Sequence, residues 1–215
     1  MNSVAVSAPA SWPDVWRTAR QWRPRVTVEV LAMLASLYFA LTANVPFWHA
    51  TIAHGWVQWR LAVALFVLMF GLHGLLLGLL LARRWARPGL AVLLVVTACA
   101  TYYMQSYGVY LDADMLRNVL HTDWAESREL LTPGLGLHLL AFAGLPCAVL
   151  WRLEVVRRPR LQGVLVRAGF LLSMWVLMMS GAAISFKDLS SLVRNQHEVR
   201  YLVTPANYLY ALGNL

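Results

Sequence analysis

The chain has 215 residues, of which 60% are apolar and 13% charged, and its mean hydropathy is +0.57. That is too little charge to wet the surface of a soluble globule of this size, so a membrane protein is the expected class. The 18 Lys and Arg against 10 Asp and Glu leave +8, but the excess sits in short segments between apolar runs, which explains it as loop charge without nucleic acid.

The first apolar run, 26–45, starts only after 25 residues, is 20 residues long and lacks a small-x-small cleavage site before the polar loop. It therefore reads as a retained helix and not as a cleaved signal. Runs at 61–82, 90–107, 135–151 and 164–184 add 22, 18, 17 and 21 residues, against the roughly 20 that carry a helix across about 30 Å of hydrocarbon. Backbone N–H and C=O groups find no water partner in lipid, so runs this long predict helices. The expected fold is an all-α membrane protein with five transmembrane helices plus interfacial amphipathic helices. Glu29 and Arg167, each within about a turn of a span's start, read as side chains snorkelling to the headgroups. His73 and His138, isolated in apolar runs, read as packed or hydrogen-bonded, Cys99 and Cys147 as core packing, and Pro146 as a kink in the fourth span. Gly74 and Gly78 form one G-x-x-x-G, a signal of close helix packing.

Twelve of the 18 basic residues precede the first run, join the second to the third, or join and flank the fourth and fifth. The positive-inside rule places the N-terminus in the cytoplasm and the C-terminus outside. Trp48, Trp56, Trp59, Trp85 and Trp151 fall at span ends, the level that indoles prefer. The cytoplasmic turns 83–89 and 152–163 are rich in Arg and Pro and offer nothing for chemistry.

Outside lie 46–60, 108–134 and 185–215. In the second of these, Asp112 is placed to cap a helix over 112–131. Along it Asn118, Thr122 and Glu126 recur at four-residue steps, a row about 12 Å long, with His121 on the same stretch. Leu116, Val119, Leu120 and Leu130 form the apolar side that would lie on the membrane or on the other helices. An amide and a hydroxyl suit phosphate oxygens and a carboxylate suits an ammonium, the demands of a zwitterionic phospholipid headgroup. By spacing alone, an ordinary wet helix face accounts for the row.

In the third stretch Ser185 is placed to cap an interfacial helix bearing Phe186, Leu189, Leu192 and Val193. Pro205 then stands at N1 of a second one, whose apolar side is Tyr208, Leu209 and Leu212. The chain stops one or two turns into that helix, as expected of a piece of a longer protein. The sequence has no H-E-x-x-H, no Gly-rich phosphate loop, no G-x-S-x-G and no acidic cluster with metal spacing. On motifs alone it reads as a membrane domain that binds something.

Three passages carry a family resemblance. "ATYYMQSYGVYLDADMLRNVLHTDWAESRELL" at 100–131, "FKDLSSLVRNQHEVRYLVTPANYLY" at 186–210 and "YFALTANVPFW" at 38–48 resemble the N-terminal membrane domain of the bacterial phosphoethanolamine transferases that modify lipid A, the group that includes the mobile colistin resistance enzymes. The resemblance implies a five-helix membrane domain over 1–184 that includes a periplasmic substrate helix at 112–131. Linker helices over 185–215 would then lead to a periplasmic, zinc-dependent catalytic domain beyond this chain. It implies transfer of phosphoethanolamine from phosphatidylethanolamine to lipid A in the inner membrane, with polymyxin resistance as the consequence. It also implies that Asn118, Thr122 and Glu126 bind the phosphatidylethanolamine headgroup, while the catalytic nucleophile and the metal ligands lie outside these residues. A self-standing transporter subunit and a truncated regulatory partner of a full-length transferase are the alternatives, the latter resting on Gly74 and Gly78 as a pairing motif.

Overall fold

In the computed structural model of the protein, residues 23–51, 59–82, 84–109, 113–121, 123, 128–195 and 202–213 are described. A two-residue strand β1 (Arg25–Val26) leads into α1 (Val28–Tyr38), where the Thr27 hydroxyl accepts from Val30 N–H and Glu29 stands in the positive first turn. The helix runs on as a π-helical turn, Phe39–Ala43, stops at Asn44, and is followed by α2 (Val45–Thr51). Two 22-residue helices come next, α3 (Trp59–Leu80) and α4 (Ala86–Tyr107). Gly108 ends α4: at φ 65° it takes the left-handed cap that a side chain disfavours, and its N–H reaches Met104 O.

The amphipathic α5 (Ala113–His121) precedes α6 (Pro133–Leu139), a π-helical turn Leu140–Gly144, and α7 (Leu145–Arg152). Pro146 has no N–H to give the carbonyl four residues back, and that carbonyl, Phe142 O, instead accepts the Tyr38 hydroxyl at 2.8 Å. The break expected at Pro146 thus doubles as a link between α1 and the fourth apolar segment. Strand β2 (Glu154–Val155) pairs in parallel with β1, Arg25 opposite Glu154, and closes the arginine-rich end of the bundle. The 36-residue α8 (Arg160–Asn195) and the short α9 (Ala206–Leu212) complete the order.

Among the described residues four helical stretches are long and apolar enough to cross a membrane: Trp59–Leu80, Ala86–Tyr107, Pro133–Arg152 and Arg160–Ser191. The expected first span is a shorter apolar helix, Val28–Ala43, because Asn44 leaves the helix to make side-chain hydrogen bonds of its own. Large apolar residues such as Leu79, Val92, Leu137, Val149, Leu165 and Leu172 face outward, as a helical bundle in hydrocarbon requires.

The seam between α3 and α8 is set by glycine. A Cβ on Gly71 would lie 2.5 Å from Met178 N, and one on Gly181 would lie 2.5 Å from Leu68 N, so the two backbones touch where side chains are missing. Gly74 and Gly78 take up the Met174, Leu171 and Phe170 side chains of α8. The G-x-x-x-G is thus used inside the chain, which removes the support it lent to pairing with a second protein.

Three further expectations are corrected. Glu29 and Arg167 do not simply snorkel: Arg158 pairs with Glu29 at 3.1 Å, and Arg167 donates to Leu81 O at the end of α3. Glu29 thus has a charged partner inside the bundle, and Arg167 satisfies a carbonyl freed at a helix end. Ser185 caps nothing. Its hydroxyl bonds back to Gly181 O at 2.7 Å, and α8 passes through it without a Gly or Pro to stop it. The helix expected over 112–131 ends at His121, with Asp123 outside it. The His121-Thr122-Asp123 run has poor helix propensity, and Thr and Asp side chains compete for nearby backbone groups.

Candidate functional site

The end of the bundle opposite the arginines carries α5. Tyr103 donates to Leu130 O at 3.0 Å, and Tyr102 shares a 2.6 Å hydrogen bond with Thr132, whose hydroxyl also caps α6 by accepting from Leu135 N–H. The 108–132 connection is thereby pinned to the last turns of α4. On α5 itself, Asp114 and Arg117 pair at 3.0 Å on the exposed side. His121 Nδ1 donates to Arg117 O at 2.8 Å, and since a carbonyl can only accept, the proton sits on Nδ1. Met115 packs inward on the apolar cluster of Phe47, Leu65, Met69 and Met104, whereas Val119 is exposed. Met115, a residue outside the apolar set read from the sequence, thus contributes to the packed face.

Asn118 is exposed on α5. Thr122 and Glu126 lie outside the described residues, and so does Asp112, the expected cap.

Beneath α5 the returning segment 202–212 does not rest on the surface as an interfacial helix. Leu202, Thr204, Tyr208 and Ala211 are all buried, and Thr204 and Asn44 have no exposed surface at all. Asn44 grips Thr204 from both sides, donating from Nδ2 to Thr204 O at 2.7 Å and accepting Thr204 N–H on Oδ1 at 2.8 Å. A second donation from Nδ2 reaches Phe39 O, one of the carbonyls left by the π-helical turn. The Tyr208 hydroxyl meets Thr97 Oγ1 at 2.9 Å. Thr97 lies ten residues before Tyr107, so this contact is about 15 Å inside the end of α4. Burial pushes the Tyr208 phenol up to about 12, partly offset by its hydrogen bond from Thr97. The driving force for the insertion is the burial of Leu202, Tyr208 and Ala211, and the paired amide and carbonyl groups remove the desolvation cost that would oppose it.

Buried His73 and half-buried His138 act as packing. His73 lies edge-on to Phe39 with ring centroids 6.3 Å apart, and His138 Nε2 lies 3.2 Å from Thr101 Oγ1. Among the described residues no three His, Cys, Asp or Glu side chains gather so as to hold a metal ion. The arrangement places α5, with Asn118 exposed, beside the buried segment 202–212.

A family model described as phosphoethanolamine transferase EptA/EptB matches residues 69–215. The chain belongs to this family. Similar curated proteins are the phosphoethanolamine transferase EptA of Escherichia coli K12, 29% identical over 195 residues, and the phosphatidylethanolamine transferase Mcr-1 of Escherichia coli, 26% identical over 201 residues. The matches cover 88% and 92% of this chain but 36% and 37% of those proteins, so the chain spans about a third of their length. The solved integral membrane protein lipooligosaccharide phosphoethanolamine transferase A of Neisseria meningitidis superposes with a TM-score of 0.82 over 89% of this chain and 36% of its own, at 24% identity. The likeness is one of fold: this EptA/EptB-family chain is the membrane domain.

Asn44 and Thr204 were not among the expected site residues. Their signal was nonetheless present, because the two passages that carried the family resemblance at the ends of the chain, 38–48 and 186–210, each hold one partner of this pair. An amide at the end of an apolar run has no periodicity to mark it, and its partner lies 160 residues away.

Proposed function

We propose that this EptA/EptB-family chain anchors a phosphoethanolamine transferase in the bacterial inner membrane and holds its lipid substrate, with the N-terminus cytoplasmic and the C-terminus periplasmic. In this reading the whole enzyme moves phosphoethanolamine from phosphatidylethanolamine to a lipid A phosphate and so confers polymyxin resistance. The transfer itself is carried by a zinc-dependent periplasmic domain of the same polypeptide. The observation that carries the proposal is the family match over 69–215, together with coverage of only about a third of relatives that are named as transferases.

Asn118, Thr122 and Glu126 would bind the headgroup, the amide and hydroxyl toward phosphate and the carboxylate toward the ammonium. The exposure of Asn118 on α5, whose Met115 packs on the apolar cluster of the bundle, supports this. Both lipids arrive in the bilayer plane, so holding one at membrane level converts a two-dimensional search into a local encounter. The test is lipid co-purification quantified by mass spectrometry. Phosphatidylethanolamine should be enriched over phosphatidylglycerol, and Asn118→Ala, Thr122→Ala and Glu126→Ala should each reduce the enrichment severalfold, roughly the loss of one charge-assisted or neutral hydrogen bond. Unchanged retention in all three variants would refute the site.

A further inference from the structure

The turns at the arginine-rich end were expected to offer nothing for chemistry, yet they enclose a pocket of about 820 Å³. It opens where the start of α4, the end of α7 with β2, and the start of α8 meet, and Arg84, Arg87, Arg157 and Arg160 all line it. A volume of this size is in the range of small-ligand sites. Glu154 is the carboxylate in the lining, and it already faces Arg25 at 3.4 Å. Arg84, Arg157 and Arg160 have no acidic partner among the described residues. Arg87 donates to Leu153 O through its terminal nitrogen, while its Nε is buried with no partner among the described residues.

The neighbouring pocket on the same end is a built-in control. Apart from Arg160, which lines both pockets, its cations are consumed internally, Arg158 by Glu29 and Arg167 by Leu81 O. The four guanidiniums in this lining stand beside one carboxylate, Glu154, which already faces Arg25, so an external anion would relieve their mutual repulsion. Guanidinium forks match phosphate oxygens bidentately. Trp85 and Trp151 flank the pocket and are mostly exposed, and indoles settle at the headgroup level of a bilayer. Charge and depth therefore agree on one ligand chemistry, a phosphate held at the membrane interface.

We propose that this pocket binds the phosphate of an anionic phospholipid, such as phosphatidylglycerol or cardiolipin, at the arginine-rich face of the membrane. The site is separate from α5, and its occupation does not depend on which headgroup α5 recognises. A lipid held there would tie α4, α7 and α8 together where a two-residue strand pair is the main backbone link between their connections and the N-terminal segment.

The experiment is native mass spectrometry of the purified full chain titrated separately with phosphatidylglycerol, phosphatidylcholine and inorganic phosphate, repeated on an Arg84→Gln/Arg157→Gln/Arg160→Gln variant. These three side chains are exposed and have no acidic partner among the described residues, so the fold should survive their neutralisation. The expected result is one phosphatidylglycerol that resists collisional release, with the triple variant weaker on the order of a hundredfold, about fivefold per guanidinium. Lys187→Gln/Arg194→Gln, at the far end of α8, should leave that binding unchanged. Equal retention of phosphatidylcholine, an unaffected triple variant, or a ladder of adducts shed together would overturn the pocket. Displacement of the lipid by millimolar inorganic phosphate would reassign it to a soluble anion.

Discussion

The two ends of the bundle are closed by opposite means. At the arginine-rich end the links are charged and near the rim: Arg25 with Glu154, both mostly exposed, and Arg158 with Glu29, where the carboxylate side chain is 16% exposed. At the other end the links are neutral and buried: Asn44 with Thr204, and Thr97 with Tyr208. The difference follows from dielectric. A charge can be left where water or headgroups solvate it, whereas a segment inserted about 15 Å below the end of α4 must bring only groups that pair completely. The charged end thus remains free to recruit external anions, and the neutral end fixes the returning segment 202–212 in the bundle.

The comparison breaks first at the seam both ends share. Gly181→Val would drive a branched side chain into Leu68 N and Ala64 O, backbone atoms that cannot rotate away, and should cost about 4 kcal/mol in chemical unfolding followed by tryptophan fluorescence. Gly169→Ala, on the same helix with nothing within 4 Å of the added carbon, should change stability by less than about 0.5 kcal/mol and shows that the loss is specific to the seam.

Asn44→Leu is the next largest. It keeps the volume but strands both backbone groups of Thr204 in an apolar site, and about 3 kcal/mol should be lost in the same assay. Arg25→Gln, which breaks a surface pair at the other end, should cost under about 0.5 kcal/mol. An equal cost for the two would show that neither end is special.

The smallest effect is the sharpest in sign. Tyr208→Phe removes one hydrogen bond, about 1 kcal/mol at pH 7. With the folded phenol at about 12 and the unfolded one near 10, the unfolded state releases its proton first. Stability contributed by Tyr208 is therefore complete below pH 10 and is lost as pH rises from 10 to 12, so the advantage of wild type over Tyr208→Phe should shrink across that window. An advantage that stays constant from pH 9 to 12 would mean that the phenol is solvated.

Most of the secondary structure was legible because hydrocarbon thickness acts on each helix separately. The runs at 61–82, 90–107, 135–151 and 164–184 correspond to α3, α4, the segment from α6 to α7, and the core of α8. The errors cluster where a local pattern met a partner. Ser185 carries a cap's chemistry, yet the carbonyl four residues back offered its hydroxyl a partner inside a continuing helix. Tyr208, Leu209 and Leu212 carry an amphipathic pattern that suits a membrane surface, yet Tyr208 is buried because Thr97 and the apolar cluster offered it a deeper place. Of the candidate headgroup residues, the helix type at Asn118 was legible and the continuity of its helix past His121 was not.

By itself the sequence determined that this protein is a bundle of apolar helices, where the basic loops fall, and the family whose passages it shares, since hydropathy, charge and local motif depend on neighbours along the chain. Only the tertiary structure decided that Gly71 and Gly181 bring α3 and α8 into backbone contact, that Asn44 holds Thr204, and that four arginines from separate turns line one pocket. Those outcomes depend on groups 70 to 160 residues apart in sequence meeting in the folded chain, where each buried polar group must find a complementary partner or go unpaired.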